Sequence, residues 1–105
     1  MEVRTSRLFK QQVAELFRYL KATFGKRIAV SVRDEIKEQL LRLKEFPQMG
    51  AVESQLEGEP EVYRYLIVRH NKILYTVETD HVFVYLLWDC RQEPRSLWNL
   101  LKETE

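Results

Sequence analysis

Residues 62–90 read VYRYLIVRHNKILYTVETDHVFVYLLWDC, from Val62 to Cys90. The stretch holds four of the five tyrosines and one of the two tryptophans, with many Val, Ile and Leu. β-Branched and aromatic residues suit a pleated, half-buried surface, so the stretch is expected to form strands. Breaks at Arg69-His70-Asn71 and at Thr79-Asp80 divide it into three, with a short hairpin loop at the second. If Thr79 and Asp80 form a two-residue loop, Glu78 faces His81, Val77 faces Val82, Tyr75 faces Val84 and Ile73 faces Leu86. Side chains alternate with period two and cross-strand neighbours share a face. One face is then Ile73, Tyr75, Val77, Val82, Val84, Leu86 and Trp88, apolar throughout and expected against the core. The other carries Lys72, Leu74, Thr76, His81, Phe83, Tyr85, Leu87 and Asp89, and a site on the sheet would sit there.

Upstream, Met1 to Thr5 is partly alternating and reads as a first short strand. Ser6 suits an N-cap. Phe9, Val13, Leu16, Phe17, Leu20 and Phe24 recur at helical spacing, giving a first amphipathic helix from about Arg7 to Thr23, closed by Gly25. Ile28, Val32, Ile36, Leu40 and Leu43 form a second stripe, stopped by Pro47. The link at Gly25-Lys26 is so short that the helices should form an antiparallel hairpin, each needing the sheet's apolar face. Phe46 to Gly50 is a turn. Glu53 to Glu61 holds four glutamates and no base, which reads as a solvated loop. Pro94 is expected to open a short C-terminal helix carrying Leu97, Trp98 and Leu101. These three either seal one end of the core or present an apolar patch to a partner.

The expected fold is therefore α+β, as one domain over residues 1–105. A short N-terminal strand and an antiparallel helical hairpin pack on a three-stranded antiparallel meander, followed by a short helix. A chain of 105 residues can bury a core without metals or disulfides. With 17 basic and 16 acidic residues, net charge is +1, so any attraction to nucleic acid must be local. The single cysteine excludes an internal disulfide and a cysteine-based zinc site. Cys90, with the parity of Trp88, is expected buried and inert. His70 and His81 read as solvated turn residues. No glycine-rich phosphate loop, nucleophile elbow or metal motif occurs, so no cofactor or metal is expected. The chain has no signal peptide and no long apolar run, which makes a cytoplasmic protein without a membrane the expectation.

The element order, together with Tyr63-Arg64, Lys72-Ile73-Leu74-Tyr75, Trp88 to Pro94 and the Pro-x-x-Gly turn Pro47-Gln48-Met49-Gly50, resembles the RelE/ParE family. These are toxins of bacterial type II toxin–antitoxin systems, also called plasmid stabilisation proteins. The resemblance implies a compact toxin held inactive in a complex by a cognate antitoxin, whose C-terminal segment folds on binding. One branch of the family is a ribosome-dependent mRNA endonuclease; another, ParE-like, inhibits DNA gyrase without nuclease chemistry. A third outcome is a decayed toxin that acts only as an interaction protein.

RNA cleavage needs a base for the 2′-hydroxyl, a cation for the phosphate and an acid for the leaving oxygen. The resemblance places Arg64, Lys72 and Arg91 at the family's catalytic cations, with Lys72 where an Arg is usual. Parity puts Lys72 and Arg91 on the non-core face, and Arg64 is expected near them if Tyr63, Tyr65 and Ile67 face the core. Tyr85 and Asp89 are candidate acid and base on that face, although Asp89 could equally neutralise Arg91. Leu66 stands where a further Lys is common, and Trp98 and Asp89 lie where the family has a catalytic Tyr or His. Phe83 and Tyr85 could stack on bases or be half-covered by a loop.

Overall fold

The computed structural model describes residues 1–91, 97 and 99–102. The chain runs β1 (Glu2–Thr5), α1 (Arg7–Phe24), α2 (Lys26–Glu45), β2 (Ala51–Val52), a 3-10 turn (Ser54–Leu56), β3 (Tyr63–Val68), β4 (Asn71–Val77) and β5 (His81–Asp89). Leu97 and residues 99–102 are helical. The five strands form one sheet in the order β1-β5-β4-β3-β2, with β1 parallel to β5 and the other pairs antiparallel. The α+β expectation holds, and β2 is an added strand between the Phe46–Gly50 turn and the segment read as a loop from Glu53.

Ser6 starts α1 by accepting the Phe9 amide at 2.9 Å on its hydroxyl, while that hydroxyl donates to the Tyr85 carbonyl. One residue ties the helix start to β5. Gly25 ends α1 and begins α2 at φ 95°, a left-handed conformation that costs glycine nothing. So short a link forces the helices antiparallel. Their inner stripes, Phe9 with Val32, Ile36 and Leu43, bury against Leu66, Val68, Ile73, Tyr75, Val82 and Val84.

The expected hairpin register holds for Val77↔Val82 and Tyr75↔Val84, then shifts. A bulge at Tyr85 makes Leu74 face Leu86, Ile73 face Leu87 and Lys72 face Trp88. An extra residue on one strand reverses the parity of all that follow. Leu86 and Trp88, expected in the helix-side core, therefore lie on the outer face. Leu87, expected outside, joins the helix-side core. β1 ends at Thr5 opposite Val84 and does not reach Leu87. Gln12 replaces a strand there: its Nε2 donates to the Leu87 carbonyl at 2.9 Å and its Oε1 accepts the Leu87 amide at 2.8 Å.

The outer face has its own core of Leu56, Tyr63, Leu74, Leu86 and Trp88, closed by Leu97 and Leu101. Leu97 and Leu101 are each 1 % exposed, so both seal this core rather than face a partner. Trp98 lies outside the described residues. So does Pro94, the expected start of the last helix.

Candidate functional site

Arg64 pairs with Tyr75 across β3 and β4 and shares its helix-side face. Its Nη1 donates to the Gly50 carbonyl at 2.8 Å and more weakly to that of Gln48. The Gly50 amide in turn donates to the Tyr75 hydroxyl at 2.9 Å. A Cβ on Gly50 would stand 2.6 Å from both the Tyr65 carbonyl oxygen and the Tyr75 hydroxyl, so the turn can seat only glycine. Arg64 is thus a clasp on the Phe46–Gly50 turn. Burial raises the Tyr75 hydroxyl pKa above its ordinary value.

Lys72 sits on the opposite, outer face. Its Nζ donates to Glu53 at 2.6 Å and lies 4.2 Å from the centre of the Tyr65 ring and 5.5 Å from that of Trp88. Glu53 is only 2 % exposed and Lys72 16 % on their side chains. The glutamate also accepts the Gln55 amide, capping the 3-10 turn, while its own amide bonds to Tyr63. The solvated-loop reading of Glu53 to Glu61 is corrected at this residue: Glu53 points inward and locks the segment to the sheet. A carboxylate and two aromatic faces together can satisfy a nearly buried ammonium. Among the described residues the buried indole N–H of Trp88 has no hydrogen-bond partner.

Arg91 follows Asp89, which pairs with Asn71 and so alternates away from the Lys72–Trp88 pair. Asp89 lines a hollow with Gln12, Tyr19 and Leu87 beside α1. Arg91 holds it by two contacts, Nε to Oδ1 at 2.9 Å and Nη2 to Oδ2 at 2.6 Å. Those bonds draw the Asp89 pKa down to about 2. A carboxylate that weakly basic is a poor proton acceptor at neutral pH. Its role here is to neutralise Arg91.

The three candidate cations are therefore not brought together. Lys72 stands on one face, and Arg64 and Asp89-paired Arg91 lie towards the other, at separated points of the sheet. The expectation that Lys72 and Arg91 share a face is corrected by the bulge at Tyr85. Tyr85 itself remains on the outer face, where its hydroxyl accepts from Thr76 and donates to Glu61 at 3.1 Å. Burial raises its pKa strongly, and its ring sits edge-on to both Tyr63 and Phe83. Phe83 and Tyr85 thus spend ring surface on each other.

His81 pairs with Asp80 at 2.7 Å at the hairpin mouth. Cys90 is exposed, not buried as expected, because β5 ends at Asp89 and the parity of Trp88 no longer governs it. Among the described residues no group of three His, Cys, Asp or Glu could hold a metal ion, and no helix is long and apolar enough to cross a membrane. Glu53, Tyr65 and Gln12 are the residues that sequence reasoning missed. Glu53 offered one signal, as the first acid after a turn that returns the chain to the sheet.

The family model for the ParE toxin of type II toxin–antitoxin system, parDE, matches residues 3–94. The chain belongs to the ParE toxin family. Among solved structures it is similar to one described as the chromosomal ParDE TA system from P. aeruginosa, with a TM-score of 0.70 and 15 % identity. The match covers 85 % of this chain and 95 % of that one. At that identity the likeness is one of fold. No curated protein matches the chain. The ParE family model spans both long helices, β2 to β5 and all of β1 but Glu2, so the clasp, the lock and the bulge all lie within it.

Proposed function

We propose that this ParE-family toxin acts by binding DNA gyrase and inhibiting it, not by cutting mRNA, and that a cognate antitoxin neutralises it. One observation carries the choice between the two modes. Arg64, Lys72 and Arg91 are dispersed over two faces, and each is engaged by an internal partner. In-line attack by a 2′-hydroxyl needs its base, its cation and its acid around one phosphate. Here the cation nearest the outer face is neutralised by a buried glutamate, and the carboxylate proposed as base is held near pKa 2. A toxin working by occupancy of its target needs none of these groups free.

The test compares purified full-length chain in two assays. In a gyrase supercoiling assay, inhibition is expected. In a translation extract, no ribosome-dependent cleavage of mRNA is expected. Arg91→Ala changes a side chain that is 72 % exposed, so the fold should survive it. Growth arrest on induction should persist in that variant. Cleavage that requires ribosomes and disappears in Arg91→Ala, with gyrase unaffected, would reverse the reading.

A further inference from the structure

Charge in this nearly neutral chain is sorted by position. Leu16 to Arg33 holds five bases and no acid, while Glu45 to Val62 holds five acids and no base. The first stretch forms the closed tip of the helical hairpin around Gly25. The second carries the Phe46–Gly50 turn, β2 and the loop into β3. α2 runs between them, and its 20 residues set them about 30 Å apart at 1.5 Å per residue. At the tip, Arg18, Lys21, Lys26 and Arg27 are exposed and enter no ion pair among the described residues. Near them, Asp89 is held by Arg91 and Glu35 by Arg69, which leaves Glu15 and Asp34 against those four bases. At the other end, of the five acids Glu53 alone is engaged by a base among the described residues. Glu78 adds a carboxylate there, and Arg42 and Lys44 in the last turn of α2 do not cancel the excess.

Both ends also expose apolar side chains. Phe24 is 61 % exposed at the tip and meets Tyr19 edge-on, with ring centres 6.5 Å apart, and Ile28 is exposed just beyond Gly25. At the opposite end Phe46 and Val62 are each 61 % exposed, and Met49 and Val52 are exposed beside them. A hollow of about 440 Å³ opens there between Gln48, Glu61, Val62, Arg64 and Glu78. Its walls are fixed from within. Arg64 clasps the turn, Thr76 donates to Glu78 at 2.7 Å, and Tyr85 donates to Glu61 at 3.1 Å. A hollow so braced gives up little freedom when it is filled.

We propose that the chain associates with copies of itself head to tail, the cationic, aromatic tip of one copy seated on the acidic, apolar end of the next. Phe24 enters the hollow beside Val62. Lys21, Lys26 and Arg27 face Glu61, Glu78 and the free carboxylates of Glu45 and Glu59. An aromatic anchor ringed by opposite charges is the usual make-up of an interface centre. The signs select this arrangement of two copies. Tip against tip, or acidic end against acidic end, sets like charges together. Only head to tail pairs opposite charges and covers exposed apolar surface at both ends. A nucleic acid or an anionic membrane would suit the tip and leave the acidic end bare, and a basic peptide would do the reverse. A second copy carries both chemistries. The contact joins two different patches, so it leaves one of each unfilled in a dimer and grows into a ring or an open chain. This inference does not depend on gyrase being the target.

The experiment measures sedimentation of the full-length chain over a range of concentration, at low and at high salt. Assemblies larger than a dimer are expected at high concentration in low salt, and added salt should dissolve them. Two double variants each reverse one end: Lys21→Glu/Lys26→Glu at the tip, and Glu45→Lys/Glu59→Lys at the acidic end. Each alone should lose at least about tenfold in self-association, and Phe24→Ser should lose as much with its charges intact. Mixed in equal amounts, the two double variants should associate again, because each offers the end that the other lacks. The variant with both ends reversed should recover association by itself. Recovery separates lost complementarity from lost fold. A monomer at every concentration would overturn the proposal, as would a closed two-fold dimer. So would double variants that associate as the unaltered chain does, or that fail to recover on mixing. A tip that binds a single-stranded oligonucleotide or an anionic vesicle in place of a second copy would overturn it too.

Discussion

On the helix side of the sheet, Ile73, Tyr75, Val82 and Val84 meet Val32, Ile36 and Leu43 in a cluster of apolar and aromatic side chains. On the outer side, Leu74, Leu86 and Trp88 share their floor with the Lys72–Glu53 pair and are roofed by Leu56, Leu97 and Leu101. The first face is covered by two long helices that need only match it in shape. The second is covered by short pieces of chain, and a short piece buries too little area to hold itself down. Polar fastenings make up the difference: Glu53 on Lys72, and Tyr85 on Glu61. The outer face should therefore fail through its charges and the inner face through its volumes.

The largest effect is expected at the lock. Lys72→Ala strands a buried carboxylate, and removing one partner of such a pair costs about 3–5 kcal/mol. Urea denaturation should show this loss, and the double variant Glu53→Gln/Lys72→Met should lose distinctly less than the sum of its single changes. Additive losses would mean that the two residues are not coupled. Next comes Gly50→Ala at the helix-side edge. Its Cβ would collide with a backbone oxygen, so destabilisation of about 1–3 kcal/mol is expected, with no part of it recovered by altering the outer face.

A third variant, Gln12→Ala, removes both bonds to Leu87 and leaves a strand edge unpaired. A loss of about 1–3 kcal/mol is expected, with faster amide exchange at Leu87 than at Val84. Unchanged exchange at Leu87 would deny Gln12 its role as a substitute strand. The smallest effect concerns pH. Asp89 titrates near 2 in the fold against about 3.9 unfolded. Its folded pKa is depressed, so its stabilisation is complete above about pH 4 and disappears as pH falls through 2. Both partners are near the surface, so the effect should stay below about 1 kcal/mol. Arg91→Ala should narrow the stability difference between pH 5 and pH 2.5 by that amount.

Much of the fold was legible in the sequence because its signals are periodic. The alternation of Ile73, Tyr75 and Val77 against Val82 and Val84 placed the helix-side core, and the stripes from Phe9 to Leu43 placed the hairpin. The bulge was not legible. Tyr85 carries no glycine or other local mark of an extra residue, and the strand reads as well without it. That single insertion moved Leu86, Leu87, Trp88 and Asp89 to the wrong sides, and the grouping of Lys72 with Arg91 went with them. The C-terminal leucines carried a real ambiguity, since the same pattern serves to seal or to dock. Only the second core beneath Leu97 and Leu101 resolves it.

The parallel pairing of β1 with β5 joins Glu2 to His81 and Thr5 to Val84. During synthesis the first strand emerges long before its neighbour exists. At about 5–20 residues per second the wait is about 4–16 s. A chain cut short before His81 has no place to lodge its N-terminus and no central β4–β5 pair. A chain cut short there lacks the strand that joins β1 to β4, so the five-stranded sheet that both helices pack on cannot assemble.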